Sequence, residues 1–305
     1  MSAVIVFGPT GGIASAAATY ANELGAHVVL AMRDPTKSIP GLDAAREQDG
    51  KFERIKADLT DADSVLSAVK TTGAKRAFLY LAHGTPDHMK STLAALKTGG
   101  VEFVVFLSSY TIKADPQDVP PSEIIPFIHA KVEANLDEVF GASNYAAVRP
   151  GGLASNFTRY IAGIKAGEVK IFAPGFQMDA VAPSDVGRVS GSILVNGLKN
   201  DKHRVFLYGP KLIPQGEGIK RIGELVGSPV KLIEMNEVEA EESYVKAGIP
   251  PPVASYIVKK SGATINGEAE HPGYEEAVAN VELYTGSVAT TFEEWVESNK
   301  GQFTA

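Results

Sequence analysis

A glycine-rich turn near the start of the chain constrains the fold more than any other feature. It joins a short apolar run at residues 3–7 to an alanine-rich segment at residues 14–24, with the spacing Gly8-x-x-Gly11-x-x-Ala14. Glycine permits backbone angles and close approaches that side chains forbid, and the N-terminus of a helix attracts phosphate groups. The pattern predicts a strand, a loop that cradles a diphosphate, and a helix.

The diphosphate contacts are expected from this loop and from the first turn of the helix. The candidate residues are Gly8, Thr10, Gly11, Gly12 and Ile13. Alanine at position 14 still lets the helix pack close to the strand. The alternative is an ordinary glycine-rich turn that binds no ligand.

Short apolar runs alternate with helical segments over the first half of the chain. Strands are predicted at residues 26–32, 52–57, 76–81, 101–107 and 145–148, and a helix at residues 127–134. This alternation is typical of a mainly parallel, doubly wound α/β sheet. After residue 150 the pattern loosens, with helices predicted at 183–196 and 218–226 and strands at 205–208 and 230–234.

We therefore expect two regions. Residues 1–150 are expected to form a dinucleotide-binding domain, and residues 151–305 a smaller α+β lobe that covers a substrate and returns elements to the sheet. Two patterns of threonine followed three residues later by an acid, at Thr60 and Thr291, predict capping boxes at helix N-termini.

Arg33 and Asp34 follow the second predicted strand, where a sheet of this kind meets the ribose of a dinucleotide. An arginine there can bind a 2′-phosphate through two parallel, charge-assisted hydrogen bonds. We therefore expect NADP(H), with Arg33 on the phosphate and Lys37 as a candidate second contact. The alternative is that Arg33 is a solvated surface charge and that Asp34 binds the ribose.

The ends of the third and fourth predicted strands supply further candidates. Asp58 and Leu59 are expected on the adenine side of the cofactor, with a simple turn cap as the alternative for Asp58. Ala82 and His83 follow the fourth strand, where small residues suit the close passage of a cofactor. His83 is a candidate contact for substrate or ribose, and an ordinary polar loop histidine is the alternative.

The ends of the next two strands are expected to face the ligand crevice. Ser108, Ser109 and Tyr110 follow a fully apolar run, which is typical of a central strand covered on both faces, and Pro150 and Gly151 follow the strand after it. Side chains at such strand ends lie at the crevice. We expect Ser108, Pro150 and Gly151 to contact the cofactor, and Ser109 and Tyr110 to reach the substrate.

Composition narrows the classes of partner. The 305 residues carry a net charge of −7 without a basic block, so a nucleic-acid partner is not expected. The absence of cysteine excludes disulfides, thiolate metal sites and a cysteine nucleophile, and no metal site is expected. Neither a charged apolar leader nor a long uncharged apolar run is present, so we expect a soluble, cytoplasmic protein that does not enter a membrane, as a monomer or homodimer.

Taken in order, these motifs resemble the NmrA-like family of atypical short-chain dehydrogenases/reductases. The matching segments are Gly8-x-x-Gly11-x-x-Ala14, Arg33-Asp34, Asp58-Leu59, Ser108-Ser109, Lys131, Arg149-Pro150-Gly151 with Asn156-Phe157, and Ser184-Asp185-Val186-Gly187-Arg188. The resemblance covers nearly the whole chain. It implies an extended Rossmann fold that binds NADP(H) and carries a smaller C-terminal region.

One departure from the parent superfamily concerns proton transfer. That superfamily places a Tyr-x-x-x-Lys pair on the helix after the fifth strand, where the tyrosine transfers a proton and the lysine holds the ribose. In this chain Lys131 is present, but Phe127 stands four residues before it. The resemblance therefore implies that Lys131 orients the cofactor, with an exposed helix lysine as the alternative. A proton donor, where one is needed, is sought among Tyr110, Ser109, His83 and His129, with Tyr110 first.

Members of the family include quinone reductases, enone, alcohol or imine reductases of aromatic and polyketide metabolism, and catalytically silent redox sensors. We expect an NADPH-dependent reductase of a small hydrophobic quinone, enone or carbonyl compound of secondary metabolism. The alternatives are a non-catalytic NADP(H) sensor that binds a protein partner, and a redox-neutral isomerase or cyclase. The large side chains near the segment expected to face the nicotinamide, where they would shape a hydrophobic pocket, are Phe157, Tyr160, Phe172, Phe176 and Met178; the alternative for each is packing in the core.

Overall fold

The computed structural model describes residues 3–263 and 271–304. Its strands are β1 Val4–Phe7, β2 Val28–Met32, β3 Glu53–Lys56, β4 Arg76–Tyr80, β5 Phe103–Leu107, β6 Tyr145–Pro150, β7 Glu168–Ile171, β8 Gln177–Met178, β9 Arg204–Leu207, β10 Ile213–Pro214 and β11 Lys231–Glu234. Its α-helices are α1 Gly12–Glu23, α2 Ala44–Asp49, α3 Ala62–Thr72, α4 Lys90–Gly99, α5 Ile124–Val139, α6 Ile161–Ala166, α7 Pro183–Asn196, α8 Gln215–Leu225, α9 Glu237–Lys246, α10 Pro251–Ala263, α11 Tyr274–Thr285, α12 Phe292–Ser298 and α13 Lys300–Phe303.

A seven-stranded sheet in the order β3-β2-β1-β4-β5-β6-β9 forms the centre of the molecule. Every neighbouring pair in it is parallel, which confirms the predicted doubly wound α/β fold. The order reverses at β1, which lies between β2 and β4. Ligands of open parallel sheets bind where the strand order reverses, beyond the carboxyl ends of the strands.

Both faces of the sheet are covered, because successive side chains of a strand point to opposite faces. Val4 and Val6 pack with one cluster, which contains the buried faces of α1, α7 and α11. Ile5 and Phe7 pack with the other cluster, which contains those of α3, α4 and α5. This double coverage explains why strands such as β1, β2 and β5 are continuous apolar runs rather than alternating ones.

Helix α7 packs so closely against α1 that its glycines leave no room for a side chain. A Cβ atom added at Gly187 would stand 2.4 Å from the Cβ of Ala16 and 2.6 Å from the carbonyl oxygen of Ile13. One added at Gly191 would stand 2.6 Å from the carbonyl oxygen of Ala17. The glycines of α7 therefore set the position of α1, and with it the position of the glycine-rich turn.

Residues beyond 150 build a third apolar cluster and also extend the sheet. Phe157, Ile219 and Trp295 belong to that cluster. Two small sheets, in which β11 pairs with β7 and β10 pairs with β8, lie in the same part of the chain, while β9 joins the central sheet. Within the part of the chain that the structure describes, no helix is long and apolar enough to cross a membrane.

Several element boundaries differ from the sequence prediction. The helix expected from residue 127 begins at Ile124, and Pro126 stands in its first turn, where the missing N–H would have had no partner. The helix expected from residue 218 begins at Gln215.

The capping box at Thr291 is confirmed, since its side chain and that of Glu294 each bond the other's backbone. The one predicted at Thr60 is wrong. Asp61 caps α3 instead, and the hydroxyl of Thr60 donates to Asp58.

Candidate functional site

The glycine-rich turn has the backbone that its sequence predicts. Gly8 has a φ of +70°, a region that side chains rarely adopt, and an added Cβ would stand 2.4 Å from the ring of Tyr80. The amide of Gly11 donates to the carbonyl of Gly8 at 3.0 Å and closes the turn. A larger residue at position 8 would therefore be strained by its backbone and by its neighbour.

The first turn of α1 leaves room for an anion. Its cap residue Gly11 makes no side-chain capping bond, and the turn contains no acidic residue. A Cβ added at Gly12 would meet no heavy atom within 4 Å. Thr10 is exposed and Ile13 is half-buried beside it. Unsatisfied amides at a helix N-terminus with open space before them fit a diphosphate.

The turn after β2 presents basic side chains while its acid is engaged. Arg33 and Lys37 are exposed. One carboxylate oxygen of Asp34 accepts from the hydroxyl of Thr36 at 2.6 Å and from its amide at 3.0 Å. These bonds, and after them the charges of Lys37 and Lys56, hold the pKa of Asp34 below its ordinary value. Positive charge at this turn suits a 2′-phosphate better than a ribose hydroxyl.

Arg54 ties this turn to the body of the protein, a role that sequence reasoning missed. Its guanidinium donates to the carbonyls of Pro35 at 2.5 Å and Lys37 at 2.8 Å. The other side of the same group forms two parallel bonds to Glu47, at 2.5 and 2.8 Å. Arg54 therefore fixes the backbone that follows Arg33.

Residues at the ends of β3 and β4 are placed at the same sheet edge. Asp58 accepts from the amide and the hydroxyl of Thr60, and these bonds, with the charge of Arg33 as a smaller cause, lower the pKa of Asp58. Leu59 and Ala82 are buried, whereas His83 is exposed. A contact of any of these with a cofactor stays a prediction.

Ser108 joins a buried ionic network rather than pointing freely into the crevice. Its hydroxyl donates to Glu133 at 2.5 Å. Glu133 and Arg149 form a two-bond pair, at 2.9 and 2.6 Å, and both side chains are buried. Arg149 also donates to the carbonyl of Ile112. The predicted cofactor contact of Ser108 is not tested by this geometry, but its hydroxyl is already occupied.

Lys131 lies over the ring of the residue that replaces the tyrosine. Its Nζ is 5.2 Å from the centroid of Phe127, a cation–π distance. His129 on the same helix makes a 2.9 Å bond through Nδ1 with the carbonyl of Ile125, and burial lowers its pKa. The orienting role of Lys131 stays a prediction.

A cavity of ≈ 830 Å³ opens beside Ser109 and Tyr110, at the end of β5. Gly151 also lines it, whereas Lys131, His83 and His129 do not. Of the five large side chains expected to shape the pocket, Phe176 and Met178 lie in its wall. The other three do not line it, since Phe157 and Tyr160 pack in the third apolar cluster and the ring of Phe172 lies against Gly262.

Tyr110 is set beside a buried carboxylate that sequence reasoning missed. Its ring stacks on His271, with centroids 5.2 Å apart, and Nε2 of His271 lies 3.3 Å from Asp179. Asp179 also accepts from the amides of Gly152 at 2.6 Å and Gly209 at 3.0 Å. Burial, and after it the charge of Asp179, raises the pKa of Tyr110 to about 12. The phenol therefore remains protonated at any ordinary pH.

Comparisons with known proteins agree with this geometry. A family model described as NAD(P)H-binding matches residues 8–195. The "Nitrogen metabolite regulation-like protein bik4" of Gibberella fujikuroi is 36% identical over 316 residues, covering 97% of this chain and 96% of that protein. The family match confirms the prediction of a nicotinamide dinucleotide of the NAD(P)H type.

Solved structures share the fold at low sequence identity. The NADPH-dependent quinone oxidoreductase QOR2 of Escherichia coli, in complex with NADPH, superimposes with a TM-score of 0.71 at 16% identity, covering 97% of this chain and 99% of that one. The triphenylmethane reductase of Citrobacter sp., in complex with NADP(H), gives 0.70 at 16% identity with the same coverage. Leucoanthocyanidin reductase of Vitis vinifera gives 0.69 at 15% identity, covering 98% of this chain and 100% of that one.

Proposed function

The chain belongs to the NmrA-like family of atypical, NAD(P)H-binding short-chain dehydrogenases/reductases, and on that premise we propose that it is an NADPH-dependent reductase. Its substrate is a small hydrophobic quinone, enone or carbonyl compound of aromatic or polyketide type. The observation that carries the proposal is the ≈ 830 Å³ cavity, which begins at Ser109 and Tyr110 on the same sheet edge as the open N-terminus of α1. A bound dinucleotide and a multi-ring substrate would meet there.

Different parts of the edge would hold different parts of the cofactor. The turn from Gly8 to Ile13 would hold the diphosphate, and Arg33 the 2′-phosphate. Lys131 and the Pro150–Gly151 segment would hold the nicotinamide half. NADPH supplies a hydride, and the protein supplies orientation and charge stabilisation.

Tyr110 would donate a hydrogen bond to the oxygen that gains charge in the substrate. Its pKa of about 12 makes it a weak acid, so it stabilises an oxyanion without giving up its proton readily. Ser109 stands next to it in the cavity wall, and its hydroxyl lies 2.8 Å from that of Thr111. This arrangement favours quinones and conjugated enones, whose reduced forms are stabilised anions, over simple ketones, which need a full proton transfer.

The test is NADPH oxidation, followed by absorbance, with a panel of quinones, conjugated enones and simple ketones. We expect turnover of the first two classes and little with the third. Tyr110→Phe should slow enone reduction about 100-fold, the lower end of the range for general-acid assistance, and quinone reduction less. Tight NADPH binding with no turnover across the panel would refute the proposal.

A sensor of the NADP(H) redox state is the second candidate. Phe127 in place of the tyrosine favours it, and so does the regulatory name of the relative bik4. A sensor would bind NADPH and NADP⁺ with different affinities and consume neither in the presence of quinones. A redox-neutral isomerase or cyclase would instead convert its substrate without net NADPH consumption, which product analysis detects.

A further inference from the structure

Among the residues that the structure describes, three cations line the cavity, Lys113, Arg159 and Lys260, and one carboxylate, Glu123. The other ionisable side chains among these described lining residues are Tyr110, Tyr244, Tyr256 and His271. A cation on the wall of an apolar cavity favours an anionic ligand where no carboxylate of the protein already binds it.

Glu123, the carboxylate among these described lining residues, is already engaged by two donors. Lys260 donates to one oxygen of Glu123 at 2.9 Å, and the hydroxyl of Tyr256 donates to the other at 2.8 Å. These two bonds hold the pKa of Glu123 below its ordinary value. Burial, and after it the repulsion from Lys260, lowers the pKa of Lys113. Both oxygens of Glu123 are therefore engaged by Tyr256 and Lys260.

Arg159 also lines the cavity, and its guanidinium lies over aromatic rings. Its guanidinium carbon lies 3.9 Å from the centroid of Tyr244 and 5.2 Å from that of Tyr160. Among residues 3–263 and 271–304, no carboxylate or carbonyl accepts a bond from it. A guanidinium that stacks on a ring keeps the N–H groups along its edge available for a planar, two-bond contact with a carboxylate.

We propose that the substrate of this cavity is an aromatic carboxylate, and that Arg159, positioned by Tyr244, binds its carboxylate group. The proposal rests on the proposed reductase function and narrows its substrate class. Apolar residues of the same cavity, Ile125, Phe176 and Ile249, would pack on the aromatic rings. Arg159 selects the substrate and takes no part in the transfer of hydride or proton.

Two pairs of probes separate binding from turnover. The first pair, naphthoate and naphthamide, cannot be reduced, and calorimetry measures their affinity for the protein saturated with NADP⁺. We expect naphthoate to bind about tenfold more tightly, the value of one exposed charge-assisted contact. Arg159→Met, which keeps the apolar stem, should remove this preference. Arg221→Met, an exposed arginine on α8 outside the cavity, should keep it.

The second pair is a naphthoquinone with a carboxylate on its benzenoid ring and the corresponding primary amide. The carboxylate should have a KM about tenfold lower than the amide with little change in kcat, because Arg159 would hold it equally in the ground and transition states. Arg159→Met should abolish the difference in KM, by raising the KM of the carboxylate to that of the amide.

Equal binding of naphthoate and naphthamide to the wild-type protein would overturn the inference. An equal loss of affinity for naphthoate and for naphthamide in Arg159→Met would also overturn it, because such a loss indicates a structural defect. Preference for naphthoate without turnover of either quinone would support the anion site and refute the reductase function. Turnover of both quinones without the preference would refute the anion site alone.

Discussion

Cofactor discrimination gives the sharpest test of the site, through the variant Arg33→Ala. Arg33 is exposed at the end of β2, and the neighbouring acid Asp34 is bonded to Thr36. A charge-assisted hydrogen bond is worth about 1.5–3 kcal/mol, and solvent exposure reduces that value. We expect the variant to lose about 1.5–2 kcal/mol of NADPH binding, a ~10- to 30-fold rise in Kd. NADH has no 2′-phosphate, so its affinity should not change.

The assay is equilibrium titration of NADPH and NADH, by calorimetry or by the fluorescence of the bound reduced nicotinamide. The wild-type preference for NADPH should also weaken as salt is added, because the contact is exposed to solvent. Both measurements report binding and require no substrate.

Arg54 provides a second variant that acts on the same turn from a distance. Arg54→Met removes the bonds to the carbonyls of Pro35 and Lys37. It should reduce the preference for NADPH, by less than Arg33→Ala does, and leave NADH binding unchanged. Arg46→Met is the matched control, because Arg46 pairs with Glu23 and makes no bond to residues 33–37.

Two results would refute the reasoning. Equal losses for NADPH and NADH in Arg33→Ala would show that the residue shapes the turn rather than binding a phosphate. No loss for either would show that Arg33 is a solvated charge. In both cases Asp34→Ala, tested for weaker NADH binding, would show whether Asp34 holds the ribose.

Three further predictions concern stability. Glu133→Gln should lower the free energy of unfolding by about 3 kcal/mol, measured by chemical denaturation, because the buried guanidinium of Arg149 would lose its compensating negative charge and one of its two carboxylate acceptors; no change would mean that the pair is not formed. Gly187→Ala should cost about 1–3 kcal/mol through the clash with α1, whereas Gly175→Ala, with no atom within 4 Å of its added Cβ, should not. Burial lowers the pKa of His129 from its ordinary value of 6.5. As the pH falls, the unfolded chain therefore takes up a proton at this histidine before the folded protein does, so the free energy of unfolding should decrease below about pH 6.5. His129→Gln should make that decrease smaller.

The parts of this fold that the sequence predicts are the parts set by short-range physics. A strand buried on both faces is a continuous apolar run, so β1 and β5 can be recognised from a few residues. The glycine-rich turn is equally local, since Gly8 needs its positive φ and Gly11 closes the turn onto it. The prediction that Arg33 meets the cofactor is also local, because it depends only on the position of this residue at the end of a strand. Boundaries are less predictable, as the early start of α5 before Pro126 shows.

The groups that sequence reasoning missed are those that tertiary packing brings together. Asp179 and His271 are 92 residues apart, and nothing in either neighbourhood signals the other. Arg54 carries no local signature, because its role depends on carbonyl groups of another turn. Glu133 comes closest to a residue whose role the sequence could have revealed. It is an acid on α5, two residues after Lys131, on the face of the helix that packs against the sheet.

Phe127 stands where the parent superfamily has its proton-transferring tyrosine, and Lys131 follows four residues later as in that superfamily. The ring of Phe127 packs with Ile112 and Val119, and the ammonium of Lys131 lies 5.2 Å from its centroid. Phe127 does not line the cavity, whereas Tyr110 does. Under the proposed function, Tyr110 would therefore meet a substrate in this cavity, which a side chain at position 127 would not. Burial raises the pKa of Tyr110 to about 12, so we expect acceptors that form stabilised anions to be reduced faster than simple ketones.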